Sequence, residues 1–258
     1  MGVPTEHTSQ TIGALFAAAV AIDPARPLLT YYDDASGERT ELSGATLDNW
    51  VAKTANLLVD GYGLGPGDRA AVLLPPHWQS AAVLLGCWSA GLAVVGDSGP
   101  DVVSAAVDVA FAAVDVVFAA VDRAGEAPAA GDRLALGLAP MALPLRSVPD
   151  GFADYVITVR AHGDRYIGAP VPPTTPALDS ATQSELCGLA VSRAAALGLG
   201  SGDRVLIDAA AHPDPVDWLL APLAAGATIV LCVHLDPAAV ESRRASERIT
   251  RDLPPISA

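Results

Sequence analysis

Cysteine has the widest chemical range of the side chains in this sequence, because a thiolate can bind a metal or act as a nucleophile. The chain holds Cys87, Cys187 and Cys232, which are an odd number of thiols far apart in sequence. No Cys-x-x-Cys pair or Cys/His spacing typical of zinc occurs. All three lie in apolar surroundings, which predicts buried free thiols, no metal centre and a reducing, cytoplasmic location.

Carboxylates recur every seven residues in one segment, where they could in principle gather a cation. Asp101, Asp108, Asp115 and Asp122 would share one face of a continuous helix. Successive members would lie about two turns apart, roughly 10 Å, which is too far for one metal ion. We expect a solvated stripe, or, over residues 116–121, a strand built from β-branched and aromatic residues.

Nucleophilic catalysis would need an activated serine or a lysine of altered pKa. No Gly-x-Ser-x-Gly elbow supports a hydrolytic triad among the serine, histidine and aspartate residues. Lys53 is the sole lysine of the sequence, and the helical pattern around it indicates a solvated position. No catalytic residue is therefore predicted.

Hydroxyl and backbone N–H groups could hold a phosphate in the segment from Gly168 to Pro176, which contains Thr174 and Thr175. The four prolines of this segment have no N–H to donate, and no glycine follows until Gly188. A stiff linker is the expectation here, rather than a phosphate cradle.

Composition excludes several classes of partner. The chain has 258 residues, 51% of them hydrophobic, which is enough for a substantial core. Its formal net charge of −14 repels polyanions, so we expect neither nucleic-acid nor membrane binding. The run from Ala81 to Gly96 is too short to cross a bilayer and is expected to form a buried helix and a strand.

Hydrophobic periodicity predicts the elements that would position these groups. They are a helix over 11–22, a hairpin of 28–32 with 38–42, a helix over 47–59, a strand over 69–74, a helix near 78–90, a strand over 92–95, further strands over 155–159 and 205–208, and a surface helix within 242–258 that ends in a frayed tail. Ser43 or Thr46 is expected to cap the second helix.

An internal repeat is the most informative pattern. Residues 63–69, Gly-Leu-Gly-Pro-Gly-Asp-Arg, return as Gly-Leu-Gly-Ser-Gly-Asp-Arg at 198–204. The same shift of 135 residues carries His77 to His212, and no gap is needed through 225–226. Each copy reads as helix, tight turn, strand, helix and strand, with an apolar first strand typical of a parallel sheet. The sequence thus predicts an α/β fold of two related sheet-and-helix subdomains with largely parallel strands.

Four stretches resemble the N-terminal domain of the adenylate-forming (AMP-binding) superfamily, and of its acyl-CoA synthetases in particular. They are the helix region 42–58, the turn and strand 65–75, the helix and strand 81–95, and the string from Gly202 through His212 to Leu231. The resemblance implies that residues 1–165, with the small hairpin, form a first α/β subdomain and 166–258 a second. It also implies that a C-terminal domain is absent.

What the family uses to activate ATP is not found in the matching positions. Its Gly-rich phosphate loop should follow the strand matched by 155–159 and precede the helix at Thr182, where this chain has the Pro-rich segment. Thr174 and Thr175 could be the remnant of a degenerate phosphate loop. Without a second lysine, neither the loop lysine nor the C-terminal catalytic lysine of the family has a counterpart.

One family position is retained. His212 matches a histidine near the acyl or thiol tunnel of many members, which implies that His212 and Trp218 bind substrate. Because His77 holds the same place in the first copy, His212 could instead mark a turn at the end of a strand.

The leading hypothesis is a non-catalytic pseudoenzyme that acts as a binding or interaction module. It would need no cofactor and would associate with itself as a homo-oligomer, with another protein, or with an acyl or CoA-like small molecule. An apolar face left uncovered by the missing family segments is the expected contact surface. The alternative is an AMP-forming acid–thiol ligase with a divergent phosphate loop, or one completed by a partner chain, which would need ATP with magnesium and CoA.

Overall fold

The computed structural model describes residues 10–96 and 114–254. These residues form seven α-helices, which are α1 (Ile12–Ile22), α2 (Gly44–Asn56), α3 (Trp78–Ala90), α4 (Tyr155–Val159), α5 (Gln183–Ala196), α6 (Ala221–Ala225) and α7 (Val240–Glu247). A π-helical turn, Leu57–Gly61, continues α2, and a second one, Val216–Leu220, leads into α6. The Ser43 hydroxyl accepts the N–H of Thr46 at 3.1 Å, which confirms the predicted cap.

Twelve strands lie in the same ranges. They are β1 (Pro27–Asp33), β2 (Glu38–Ser43), β3 (Arg69–Leu73), β4 (Ala93–Gly96), β5 (Val116–Ala120), β6 (Asp132–Leu136), β7 (Ala153–Asp154), β8 (Pro176–Leu178), β9 (Ala181–Thr182), β10 (Arg204–Asp208), β11 (Thr228–Val233) and β12 (Arg251–Asp252). The predicted α/β class with largely parallel strands is confirmed.

The chain divides into two compact units, each with its own sheet. Unit 1 holds the described residues up to Asp48, Pro76–Ala81 and those from Ser184 onward, and unit 2 holds Asn49–Pro75 and Ala82–Gln183. This division does not follow the expected boundary at residue 165, because β1 of the N-terminal hairpin pairs with β11 rather than with a strand of the first copy.

The sheet of unit 1 has the strand order β12-β10-β11-β1-β2. Only β2 runs antiparallel, since a tight hairpin joins it to β1. The central strands are buried on both faces and therefore read as apolar runs, as in Val205–Ile207 and Ile229–Leu231.

The sheet of unit 2 has the order β7-β6-β5-β3-β4-β8-β9. Its strands are parallel apart from the short β8–β9 hairpin. The apolar run from Ala81 to Gly96 supplies most of α3 and the strand β4, as predicted. Among the described residues, no helix is long and apolar enough to span a bilayer.

The predicted duplication is visible in matching hydrogen bonds. Asp68 accepts the N–H of Gly65 at 2.7 Å, and Asp203 accepts that of Gly200 at 2.9 Å. In both copies this carboxylate closes the turn that leads into the first strand, β3 or β10. The repeated Gly-x-Gly-Asp-Arg sequence is thus explained by one turn geometry that is used twice.

The equivalence extends further along the chain than the sequence match does. Arg69 bonds through its backbone N–H and C=O to Asp115, and Arg204 bonds in the same way to Thr250. Asp115 and Thr250 are also 135 residues apart, and each precedes a strand added parallel to the first strand of its copy. The strand β12 is therefore the counterpart of β5.

One predicted strand is wrong. Residues 155–159 form α4, although β-branched residues dominate them. The Asp154 carboxylate accepts the N–H groups of Val156, at 2.7 Å, and Ile157, at 3.2 Å. This N-terminal cap outweighs the local strand propensity.

Two further expectations need correction. Asp115 binds the backbone before β5 and Asp122 lies in a 3₁₀ turn, so these two do not share a helical face, while Asp101 and Asp108 lie outside the described residues. The C-terminal helix is not a simple surface helix, because Arg243 and Glu247 of α7 are buried. Moreover, the strand β12 follows it and extends the sheet of unit 1.

Candidate functional site

The Pro-rich segment of unit 2 forms a turn and then a strand. The N–H of Thr175 donates to the carbonyl of Pro172 at 3.0 Å, and the Thr175 carbonyl accepts the N–H of Gln183 at 2.9 Å. Thr174 is exposed whereas Thr175 is buried. The expected linker therefore ends at Thr175, since Pro176 begins β8, which pairs with β4.

This geometry leaves the segment few groups for an anion. Its prolines have no N–H, and the Thr175 N–H is already bonded within the turn. Because 155–159 is a helix, the strand that was expected to lead into a phosphate loop does not occupy that place. Thr174 and Thr175 stay a prediction as remnants of such a loop.

Lys53 is more constrained than expected for a solvated helix position. Its ammonium donates to the His162 carbonyl at 2.7 Å and forms an ion pair with Asp164. Both partners belong to unit 2. The sole lysine of the sequence thus fastens the segment after α4 to α2.

His212 and Trp218, the predicted substrate-binding pair, lie in unit 1 at the π-helical turn before α6. Both are buried, with His212 fully enclosed and Trp218 only 2% exposed. The His212 Nδ1 lies 3.3 Å from the Asp217 carboxylate, so Nδ1 carries the proton and Nε2 has a free lone pair. No residue in the described ranges pairs with this Nε2.

An ion pair that the sequence analysis missed holds this histidine in place. Arg193 of α5 donates from Nε to Asp217 Oδ1 at 2.6 Å and from a terminal nitrogen to Oδ2 at 2.9 Å. Burial alone would raise the pKa of Asp217, but the hydrogen bonds from Arg193 and His212 hold it below its ordinary value. A comparison of the two copies contains the signal, because Leu58 and Ala82 stand at the equivalent positions.

His77, the counterpart of His212, has the opposite tautomer. It also lies in unit 1, with its Nδ1 accepting the N–H of Gln79 at 3.0 Å, which leaves the proton on Nε2. Its ring packs edge-on against Tyr31 at a centroid distance of 4.3 Å. Burial lowers the pKa of His77 to about 3, although the charge of Asp33 acts in the other direction. His77 is therefore a neutral core histidine.

Metal and thiol chemistry find little support in the described part of the chain. Residues 10–96 and 114–254 contain no group of three or more His, Cys, Asp or Glu side chains that could hold a metal. The three cysteines are buried and free, as predicted. Burial raises the pKa of Cys187 and of Cys232 to about 11, so these thiols stay protonated at neutral pH.

Sequence comparisons identify relatives of the chain. A family model described as AMP-binding enzyme matches residues 16–133. A protein from Mycobacterium tuberculosis (strain ATCC 25618 / H37Rv), described as a TIGR03089 family protein, is 43% identical over 243 residues. That alignment covers 93% of this chain and 97% of the relative.

Solved structures share the fold at low identity. An acyl-CoA synthetase from Brucella canis aligns with 95% of this chain at a TM-score of 0.72 and 19% identity. The N-terminal domain of FACL13 from M. tuberculosis aligns with 94% at a TM-score of 0.71 and 16% identity. The chain spans 47% and 62% of the lengths of these two structures, so the likeness establishes the fold only.

Proposed function

Since this chain belongs to the TIGR03089 family within the AMP-binding superfamily, we propose that it acts as a binding or interaction module without catalytic activity. It has the fold of acyl-CoA synthetase N-terminal domains. The proposal is that this fold is retained while ATP activation has been lost.

The turn at Pro172–Thr175 is the observation that carries the proposal. A triphosphate needs several backbone N–H groups that converge on its oxygens, which is why phosphate loops are rich in glycine. Here prolines remove the N–H groups, and the Thr175 N–H donates to Pro172 instead. The segment would have to unfold this turn before it could enclose a phosphate.

The position of Lys53 supports the same proposal. A lysine that neutralises phosphate must bring its ammonium to the ligand, but Lys53 is bonded to the His162 carbonyl and to Asp164. With no second lysine in the sequence, cationic help would have to come from arginine.

A retained acyl pocket beside His212 is the weaker form of a binding role. The imidazole and the indole of Trp218 are both enclosed, and their contacts with Asp217 and the core explain their burial without a ligand. Their role in substrate binding, like the cytoplasmic location, stays a prediction.

The decisive measurement is pyrophosphate release from ATP and magnesium with a panel of carboxylic acids, using the full chain and an active acyl-CoA synthetase as the positive control. We expect no release above background. Thr174→Ala/Thr175→Ala is the matched variant, because contaminating activity would be the same in both preparations. Release that follows the concentration of the chain and falls in this variant would overturn the proposal.

Ligand binding without turnover is a separate question. A ligand present at 100 times its Kd stabilises the folded state by about 2.7 kcal/mol, so thermal unfolding with ATP, AMP, CoA and acyl-CoA detects it. We expect no shift with ATP or AMP. A shift with acyl-CoA alone would favour the small-molecule form of the module.

The alternative function is an AMP-forming acid–thiol ligase with a divergent loop, or one completed by a partner chain. The match to the AMP-binding enzyme family over residues 16–133 favours it. In that case ATP with magnesium and CoA would be required, and the same pyrophosphate assay would give a positive result.

A further inference from the structure

Four large apolar side chains are exposed in one region of unit 2. Met141 is 81% exposed, Ile157 60%, Leu143 59% and Val148 39%. Isolated apolar residues are normal on a protein surface, but a contiguous group of them marks an interaction site.

Hydrogen bonds place the members of this group together. Arg160 donates to the carbonyl of Ala142 at 3.0 Å and, at 3.4 Å, to that of Met141. Ile157 precedes Arg160 by three residues, and positions three apart share one face of α4. The Leu145 N–H also donates to Asp154 at 2.6 Å, so the loop of residues 138–149 is fastened to α4 at two points.

The backbone of this loop is preorganised. Leu138, Met141 and Ala142 have φ values of +50°, +57° and +49°, a region that side chains other than glycine rarely adopt. Such a conformation persists only where the surroundings determine it, here through Arg160 and Asp154. A partner that binds the loop would pay little of the usual ordering entropy.

Charge indicates which partner fits. The chain carries a net charge of −14, so two copies repel each other over most of their surfaces. Residues 138–149 contain no acidic side chain and only one charged one, Arg146. This loop is therefore a place where two copies can approach each other with little repulsion.

We propose that the patch formed by Met141, Leu143, Val148 and Ile157 is the contact surface of a symmetric dimer of this chain. The proposal rests on the proposed function as an interaction module and names its partner as a second copy. A closed two-fold contact uses the same patch on both copies, which buries both apolar faces at once.

The size of the patch sets the expected strength. Stable complexes bury roughly 800 Å² on each partner, and four side chains supply only part of such an area. The dimer should therefore be weak and concentration-dependent. It should also tighten as salt rises from ~0.01 M to ~0.15 M, because the Debye length falls from about 30 Å to about 8 Å and screens the repulsion between acidic copies.

Sedimentation equilibrium across concentration and salt tests the dimer, with the double variant Met141→Ser/Leu143→Ser. We expect its dissociation constant to rise at least tenfold while the unfolding midpoint stays unchanged, because both side chains are exposed. Leu189→Ser, at a residue of unit 1 that is 52% exposed, is the matched control and should leave the constant unchanged. In a Met141→Cys variant, oxidation should link two copies through this position.

A wild-type chain that stays monomeric up to its solubility limit would overturn the dimer. So would a dimer that Leu189→Ser weakens as much as the patch variant does. Neither result bears on ATP activation, and pyrophosphate release by a dimeric chain would refute the non-catalytic role alone, so the two failures can be told apart.

Discussion

Arg193 donates two hydrogen bonds to the buried carboxylate of Asp217, although the two residues lie 24 positions apart in sequence. Asp217 in turn accepts the Nδ1 proton of His212. This series of contacts occurs only in the second copy of the repeat, since apolar residues stand at the places of Arg193 and Asp217 in the first. It gives the retained histidine a defined orientation and a defined tautomer.

Replacement of Arg193 by Leu, the residue of the first copy, should lower the free energy of unfolding by about 2–4 kcal/mol, because a buried carboxylate loses its counter-ion. Asp217→Ala should cost less, since the Arg193 side chain is 31% exposed and can be hydrated. In urea denaturation, we expect the double variant to lose clearly less than the sum of both. Additive losses would show that the pair is not coupled.

The tautomer of His212 should depend on Asp217. In Asp217→Asn the amide oxygen is needed by Arg193, so the NH₂ group turns to His212 and Nδ1 becomes an acceptor. Long-range ¹H–¹⁵N spectra of histidine-labelled protein should then show the His212 proton on Nε2 rather than Nδ1. His77, with its proton on Nε2 throughout, is the internal reference, and an unchanged His212 would contradict the assignment.

The repeat accounts for how much of the fold could be predicted. A gap-free shift of 135 residues conserves both the turn chemistry of Asp68 and Asp203 and the apolar strands after them, so local patterns were sufficient there. Residues 155–159 were assigned wrongly because strand propensity was weighed without the cap that Asp154 provides. The signal was present one residue before the segment.

The candidate site was less predictable because its contacts are distant in sequence. His212 was found through its match to the first copy, but the partners that fix it come from α5 and from the following turn. The same applies to α7, where Arg243 and Glu247 look like surface charges until the hairpin residues that pair with them are known. Periodicity reports which face is apolar but not which charges meet.

Two glycines should respond oppositely to alanine. A Cβ on Gly86 of α3 would lie 2.6 Å from the Thr54 side chain, so Gly86→Ala should cost about 1–3 kcal/mol through overpacking. A Cβ on Gly188 of α5 would meet nothing within 4 Å, and Gly188→Ala should stabilise by about 0.5–1 kcal/mol through helix propensity. Denaturation midpoints decide, and equal effects of both substitutions would contradict the packing of α3 against α2.

Glu247 holds α7 to the hairpin of unit 1. It accepts hydrogen bonds from the Tyr32 hydroxyl at 2.5 Å and Arg39 at 2.9 Å, and it forms an ion pair with Arg204. Glu247→Gln should cost about 2–4 kcal/mol and should accelerate amide exchange in α7. Glu241→Gln on the same helix is the control and should cost less than ~0.5 kcal/mol, because that side chain is 81% exposed. Similar losses in both variants would refute the buried role.

His77 should make the protein sensitive to mild acid. Burial lowers its pKa from 6.5 to about 3, so below pH 6.5 the unfolded chain binds a proton that the folded chain does not. The stability that this neutral histidine contributes is complete above pH 6.5 and decreases as the pH falls to about 3, by at most roughly 1.4 kcal/mol per pH unit. His77→Asn keeps an acceptor for the Gln79 N–H but cannot titrate. Urea denaturation between pH 5 and 7.5 should therefore give a shallower pH dependence for the variant, and identical slopes would mean that His77 is protonated in the folded protein.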